Sequence, residues 1–180
     1  MRLTNARHSI HDAFAIHLGG PTGDGGGGGV KFNSTKWLAN AGTAGMIIKA
    51  VMDQPAHLRG TAIFLNAPEN TITMNDMIAM KTGVWTHFID KEKATSADQG
   101  VIVSYIDRIL IGYRSRIWDS KSGAHTAGGM FSAYSEARRG RLTDMANRLI
   151  DVLAGYDSRS LVPIWVAIDK EREAEREETV

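Results

Sequence analysis

Apolar side chains in this chain recur at three- and four-residue steps, which is the spacing of one face of an α-helix. The clearest stripe follows Ser96 and continues to about Trp118. A shorter one lies before a glycine-rich segment near the N-terminus, over Asn5 to Leu18. The pattern therefore predicts an all-α fold, a compact helical domain with a flexible glycine-rich loop and a charged C-terminal helix.

Local signals set the ends of the other predicted helices. Ser34 can cap a helix that stops before Pro55, because the residue preceding a proline is pushed out of the α region. Thr73 with Asp76 three residues later resembles a capping signal. The remaining predicted helices are 56–65, one over about 131–153 that breaks near Gly140, and a last one that begins at Ser160 with Pro163 in its first turn.

A glycine-rich segment divides the chain into regions. Eight of the eleven residues from Gly19 to Gly29 are glycine, whose backbone entropy makes fixed structure costly. A phosphate-binding P-loop would need a Gly-Lys-Ser/Thr end after a strand, and the segment lacks both. We therefore expect a flexible tether. The predicted regions are an N-terminal helical arm (1–18), the tether (19–33), a helical domain that binds DNA and polymerase (34–168) and a charged tail (169–180).

Residues 74–91 have the features of a helix-turn-helix. Such a motif needs a small residue where two helices cross, a turn residue that tolerates positive φ and an apolar anchor in the second helix. Ala79, Gly83 and Val84 meet these needs. The residues predicted to face the DNA are Trp85, Thr86, His87 and Lys91. The alternative is one amphipathic helix that ends at Gly83.

Composition excludes several classes of chemistry. The 180-residue chain contains no cysteine, so it has no disulfide, thiolate nucleophile or cysteine-ligated zinc. It shows no secretory leader and no apolar run near the roughly 20 residues that span a bilayer. We expect a cytoplasmic protein that has no membrane partner.

Charge is unevenly distributed although the formal net charge is +1. Between Arg108 and Arg148 there are eight basic residues and three acids, whereas residues 169–178 contain six acids and three bases. Arginine suits phosphate oxygens and guanine edges. The basic residues predicted to contact DNA are Arg114, Arg116, Lys121, Arg138, Arg139 and Arg141. If they instead pair with Asp119, Glu136 and Asp144, their role is structural.

Catalytic motifs are missing from the sequence. It has no glycine-serine-glycine nucleophile elbow, no His-Glu-x-x-His, no calcium loop and no strand-led dinucleotide fingerprint. His8, His11 and His17 lie at spacings that favour solvated histidines over a metal site. We expect a protein that is not an enzyme and that uses no cofactor and no metal.

Two segments carry a family resemblance. Residues 54–68 resemble a segment in which a Leu-Pro-x-x-Leu-Arg turn leads into a helix ending in an aromatic residue and a proline. Residues 139–165 resemble a segment with a basic helix, a turn and a Leu-x-Pro-x-Trp start. Together they resemble the Q-type processive transcription antiterminators of phages, a family that includes AlpA-like bacterial regulators of lysis programmes. The chain lacks the cysteine zinc site of some members, so the resemblance implies the metal-free variant.

The resemblance implies a protein that binds double-stranded DNA near a promoter and loads onto bacterial RNA polymerase, with or without a sigma factor. The resemblance also implies that the protein narrows or lengthens the RNA exit channel, which hinders a terminator hairpin, so that terminators are read through. The surfaces expected to hold polymerase are the N-terminal helix, residues 54–68 and the C-terminal helix. Two alternatives stay open, an operator-binding repressor or activator and a protein-interaction adaptor.

Overall fold

The computed structural model describes residues 2–18, 34–92, 94–118 and 127–177, and within these ranges it contains no strand. The all-α prediction is confirmed. The helices are α1 (Arg2–Leu18), α2 (Ser34–Met52), α3 (Ala56–Asn66), a 3-10 turn (Glu69–Thr71), α4 (Met74–Lys91), α5 (Ser96–Trp118), α6 (Ala127–Met130) and α7 (Glu136–Glu177). The predicted tether and Lys121 lie outside the described residues. No described helix has the length and apolar character needed to cross a membrane.

The chain forms two compact units. Unit 1 comprises residues 1–80 and 157–180, and unit 2 comprises residues 81–156. Both boundaries fall inside helices, one in α4 and the other in α7. Unit 1 is therefore assembled from two stretches of chain that are separated by the whole of unit 2.

The core of unit 1 is formed by α1, α2, α3 and the C-terminal part of α7. The helix predicted for the N-terminal arm is present, and its Ile10 side chain is fully buried in this core. Burial of an aliphatic side chain of this size stabilises a fold by about 1.5–3 kcal/mol. The buried core residues are Ala6, Ile10, Ala13, Phe14, Ala44, Ile47, Val51, Ala62, Ile63, Ala67, Leu161, Ile164 and Ile168.

A buried ion pair joins three helices of unit 1. Arg7 of α1 donates from Nη1 to Asp157 Oδ1 at 3.0 Å, and its Nη2 also binds this carboxylate. The same Nη1 donates to Asn66 Oδ1 at 3.0 Å. Asp157 is only 1 % exposed, so Arg7 compensates the charge of a carboxylate that water barely reaches.

The start of α4 is capped as predicted and lies against α3. The Asp76 N–H donates to Thr73 Oγ1 at 3.2 Å, which satisfies one of the backbone donors at the helix start. A Cβ placed on Gly60 of α3 would overlap the Asp76 carbonyl oxygen and lie 3.2 Å from the Met80 nitrogen. The two backbones are in contact here, and only glycine fits.

Replacement of Gly60 by alanine is therefore expected to lower the free energy of unfolding by at least about 1–3 kcal/mol, because backbone must move. Gly45→Ala, in α2 of the same unit, is the matched control. A Cβ there meets nothing within 4 Å, so we expect stabilisation of about 0.4–1 kcal/mol. Urea unfolding followed by helical circular dichroism measures both. Equal effects of the two substitutions would contradict the close approach of α3 and α4.

The predicted helix-turn-helix is wrong, because α4 is one continuous helix through Gly83. Met80, Val84 and Phe88 recur every four residues and are all buried. A glycine inside a helix lowers helix stability by about 1 kcal/mol relative to alanine. Burial of these three side chains stabilises the helix by more than that. The Tyr156 hydroxyl also donates to the Gly83 carbonyl at 3.3 Å. Ile78 of the same helix lies outside this buried stripe and is 53 % exposed.

The break predicted near Gly140 and the separate helix predicted from Ser160 are also wrong. α7 runs through Gly140 and through Pro163 without interruption. A proline inside a helix has no N–H to donate to the carbonyl four residues earlier. On both sides of it, Leu161 and Ile164 are fully buried in the core of unit 1, and we infer that this packing outweighs the missing hydrogen bond. The charged tail continues α7 as far as Glu177.

Candidate nucleic-acid interface

The four residues of α4 predicted to face DNA lie within unit 2 in different surroundings. The Trp85 ring is half-buried and tilted against Phe88, with centroids 5.5 Å apart. His87 is half-buried and meets the Tyr156 ring edge-on at 5.8 Å. Thr86 and Lys91 are exposed. Two of the four residues therefore contribute to packing, and α4 does not present them as the second helix of a helix-turn-helix.

The predicted basic residues of α5 lie in its last turns. Arg114 is half-buried and has partners of its own, whereas Arg116 is exposed. Within the described part of the chain Arg116 forms no ion pair. It is therefore the residue of this group that is most available to a phosphate.

Two arginines of α7 share one buried carboxylate. Arg138 Nε donates to Asp98 Oδ1 at 2.9 Å, and Arg141 Nε lies 3.6 Å from Asp98 Oδ2. Asp98 sits in the first turn of α5, where its own N–H donates to Thr95 Oγ1 at 3.3 Å. Asp98 is not among the acids predicted to pair with the arginines, because its separation of 40 residues from Arg138 leaves no periodic signal.

A second ion pair also involves α7. Arg148 donates from Nε to Glu92 Oε2 at 2.7 Å and from Nη2 to Glu92 Oε1 at 3.2 Å, a bidentate geometry. These hydrogen bonds raise the pKa of Arg148, partial burial opposes the rise, and the charge of Asp144 adds to it. A raised folded-state pKa gives stabilisation that disappears only when pH passes that pKa. The Arg148 charge is thus constant at physiological pH.

Between these pairs lies an open cleft of about 230 Å³. Its walls carry two arginines and three carboxylates. The lining residues are Glu92, Ala94, Thr95, Asp98, Arg141, Asp144, Met145 and Arg148. Within the described residues no three histidine, aspartate or glutamate side chains are placed to hold a metal ion.

Aromatic rings lie beside the arginines in unit 2. The fully buried Phe131 ring is 5.2 Å from that of Tyr105 and 6.5 Å from that of Tyr134, measured between centroids. Arg108 lies over the Tyr105 ring at 5.9 Å, and Arg138 lies over the Tyr134 ring at 5.1 Å. Both distances are within the range of a cation–π interaction. Each tyrosine therefore carries a guanidinium on its ring face.

Charge also separates between the units. By sequence, unit 2 contains eleven lysines and arginines and eight acids. Unit 1 contains ten lysines and arginines and twelve acids. Unit 2 thus has a formal charge of +3 and unit 1 of −2. The basic residues that the sequence predicts to contact DNA all belong to unit 2, which is the positive unit.

The segment expected to offer a polymerase surface is largely interior. Residues 60–67 of the 54–68 segment are buried, and Gln54 Nε2 donates to the Ser160 carbonyl at 2.9 Å inside unit 1. This stretch thus forms the middle of a core, and its exposed residues are Pro55 and Ala56. Comparison with protein-family models, characterised proteins and solved structures finds no match to this chain.

Asp98→Asn tests whether the shared carboxylate organises this side of unit 2. The amide cannot compensate two guanidinium groups, so we expect a loss of about 1.5–3 kcal/mol in the free energy of unfolding. Asp107→Asn is the control, since Asp107 forms an exposed pair with Lys81 that is worth at most about 1 kcal/mol. Chemical unfolding of both variants provides the measurement. Losses of the same size would show that Asp98 has no special role.

Proposed function

We propose that this protein is a non-enzymatic transcription regulator that binds nucleic-acid phosphates through unit 2 and suppresses termination by RNA polymerase. The separation of charge between the units supports the binding step most directly, because unit 2 is positive while unit 1 is negative. Neutralisation of phosphates by lysine and arginine dominates affinity for nucleic acids. The binding residues are then Arg116, Arg138, Arg139 and Arg141, in place of a helix-turn-helix.

The arginines retain donors for this task. A guanidinium group has five N–H donors, and Arg138 uses one of them on Asp98. Arg141 is 62 % exposed and is 3.6 Å from the same carboxylate, so most of its donors face solvent. Arg139 forms no ion pair within the described residues. One carboxylate thus positions two arginines without consuming their capacity to bind phosphate.

Antitermination rests on the resemblance of residues 54–68 and 139–165 to the Q-type proteins. Lasting read-through also requires a hold on polymerase that does not depend on DNA. Unit 1 exposes apolar side chains that suit contact with another protein. They are Met52, Met74, Ile78, Val162 and Val166.

Binding is tested by the salt dependence of affinity for duplex DNA. The double variant Arg116→Gln/Arg139→Gln is expected to lower the slope of log affinity against log salt by about 0.9 for each phosphate that is no longer neutralised. Arg172→Gln, an exposed arginine in the acidic end of unit 1, should leave the slope unchanged. Wild-type and double variant are compared by fluorescence anisotropy. An unchanged slope in the double variant would assign these arginines to a protein partner or to stability.

Read-through is tested by single-round transcription on a template with a terminator downstream of the promoter. We expect the protein to raise the fraction of full-length RNA and to co-purify with the elongation complex. The Arg116→Gln/Arg139→Gln variant should do so only at higher concentration, because DNA recruits the protein. A change in initiation frequency with a constant read-through fraction would identify a repressor or activator instead.

A further inference from the structure

Tyr134 and Arg138 form a pair in which a guanidinium group lies over an aromatic ring. Arg138 Cζ lies 5.1 Å over the Tyr134 ring, while its Nε donates to Asp98 Oδ1 at 2.9 Å. The hydrogen bond anchors one edge of the guanidinium group beside the ring. Tyr134 is half-buried, and the Arg138 side chain is 34 % exposed. Both members of the pair are accessible from solvent.

A second pair of the same kind lies beside it. Arg108 Cζ is 5.9 Å over the ring of Tyr105, and this half-buried ring contacts the same Phe131 that Tyr134 contacts. Arg108 is exposed and has no carboxylate partner among the described residues. Its described contact is with the Tyr105 ring, so its charged end stays available to a ligand.

Two arginine–tyrosine pairs separated by one buried ring provide surfaces on which unstacked bases can stack. Aromatic rings and guanidinium planes both stack on the face of a base, and every base has such a face. In a duplex these faces are covered by neighbouring base pairs, so only a single strand can offer them. Arg139 and Arg141, next to Arg138 in α7, supply positive charge for the intervening phosphates.

We propose that unit 2 binds single-stranded nucleic acid, with bases stacked on the Tyr134–Arg138 and Tyr105–Arg108 pairs and phosphates held by Arg139 and Arg141. This inference rests on the proposed function, for which it names the ligand class. Single-stranded DNA and RNA share the chemistry of base faces and phosphates. A transcribing complex contains both, as the displaced DNA strand and the nascent transcript.

The test compares three fluorescent probes on the full-length chain: oligothymidylate and oligouridylate of about 12 nucleotides, and a duplex of mixed sequence. We expect at least one single strand to bind more tightly than the duplex at equal salt. Preference between the two single strands identifies the natural source. Absence of binding to all three probes would refute the proposed function itself. Binding of the duplex with equal or greater affinity would refute only the single-strand inference.

Arg138→Lys and Arg108→Lys probe stacking without a change of charge. Lysine can still pair with Asp98 but has no plane, so we expect each variant to weaken single-strand binding by about 5-fold to 100-fold. Duplex binding and the salt slope should stay at the wild-type values. Arg172→Lys in unit 1 is the matched control and should bind every probe like the wild type. Single-strand affinity unchanged in both test variants would overturn the stacking arrangement.

Tyr134→Leu and Tyr134→Phe distinguish the contribution of the aromatic ring to binding from its contribution to folding. Leucine should reduce single-strand affinity by the same factor, whereas phenylalanine, which keeps the ring, should retain it. Thermal melting by circular dichroism monitors folding, because Tyr134 also contacts Phe131. If leucine unfolds unit 2, the lysine variants still decide the question. Equal binding by folded leucine and phenylalanine variants would exclude Tyr134 as a stacking surface.

Discussion

The structure of unit 1 depends on a buried carboxylate that must be compensated. Asp157 of α7 has almost no contact with solvent, and a lone charge in that position would cost several kcal/mol. Arg7 of α1 provides a compensating charge, and it simultaneously binds Asn66, whose amide donates to the Ala62 carbonyl at 3.1 Å. Aliphatic side chains tolerate small shifts between helices with little loss. We infer that this polar cluster selects one alignment of α1, α3 and α7 among those that the aliphatic core alone would permit.

Much of the secondary structure could be predicted from apolar spacing. α5 begins at Ser96 and ends at Trp118 as predicted, because its stripe is long and its ends are marked. The errors occurred where a local signal competed with packing. Local signals predict breaks at Gly83 and Gly140 and place Pro163 in the first turn of a separate helix, yet each lies inside a continuous helix. The unfavourable helix propensities of glycine and proline, about 1–3 kcal/mol per residue, are outweighed when the flanking side chains are buried. The sequence alone does not show which side chains will be buried.

The candidate site could be predicted only in part. The concentration of arginine in α7 was visible as local charge, but the acid that organises it was not, because Asp98 lies on another helix. Likewise, the pairing of Arg148 with Glu92 spans 56 residues. Side chains of α4 that were expected to face DNA include Trp85 and His87, which instead contact aromatic neighbours. Periodicity indicates which residues share a helix face. Which other residues pack against that face depends on the three-dimensional arrangement of the helices.

The discontinuity of unit 1 has a consequence for folding during synthesis. Leu161, Ile164 and Ile168 complete the core that α1, α2 and α3 begin, but the ribosome makes them only after all of unit 2. Until then, the core that these three helices form with one another is incomplete and Arg7 lacks Asp157. Unit 2 is continuous in sequence and can form its local contacts earlier. The chain is thus expected to fold from its middle outward, and unit 1 closes last, when the two ends of the chain meet.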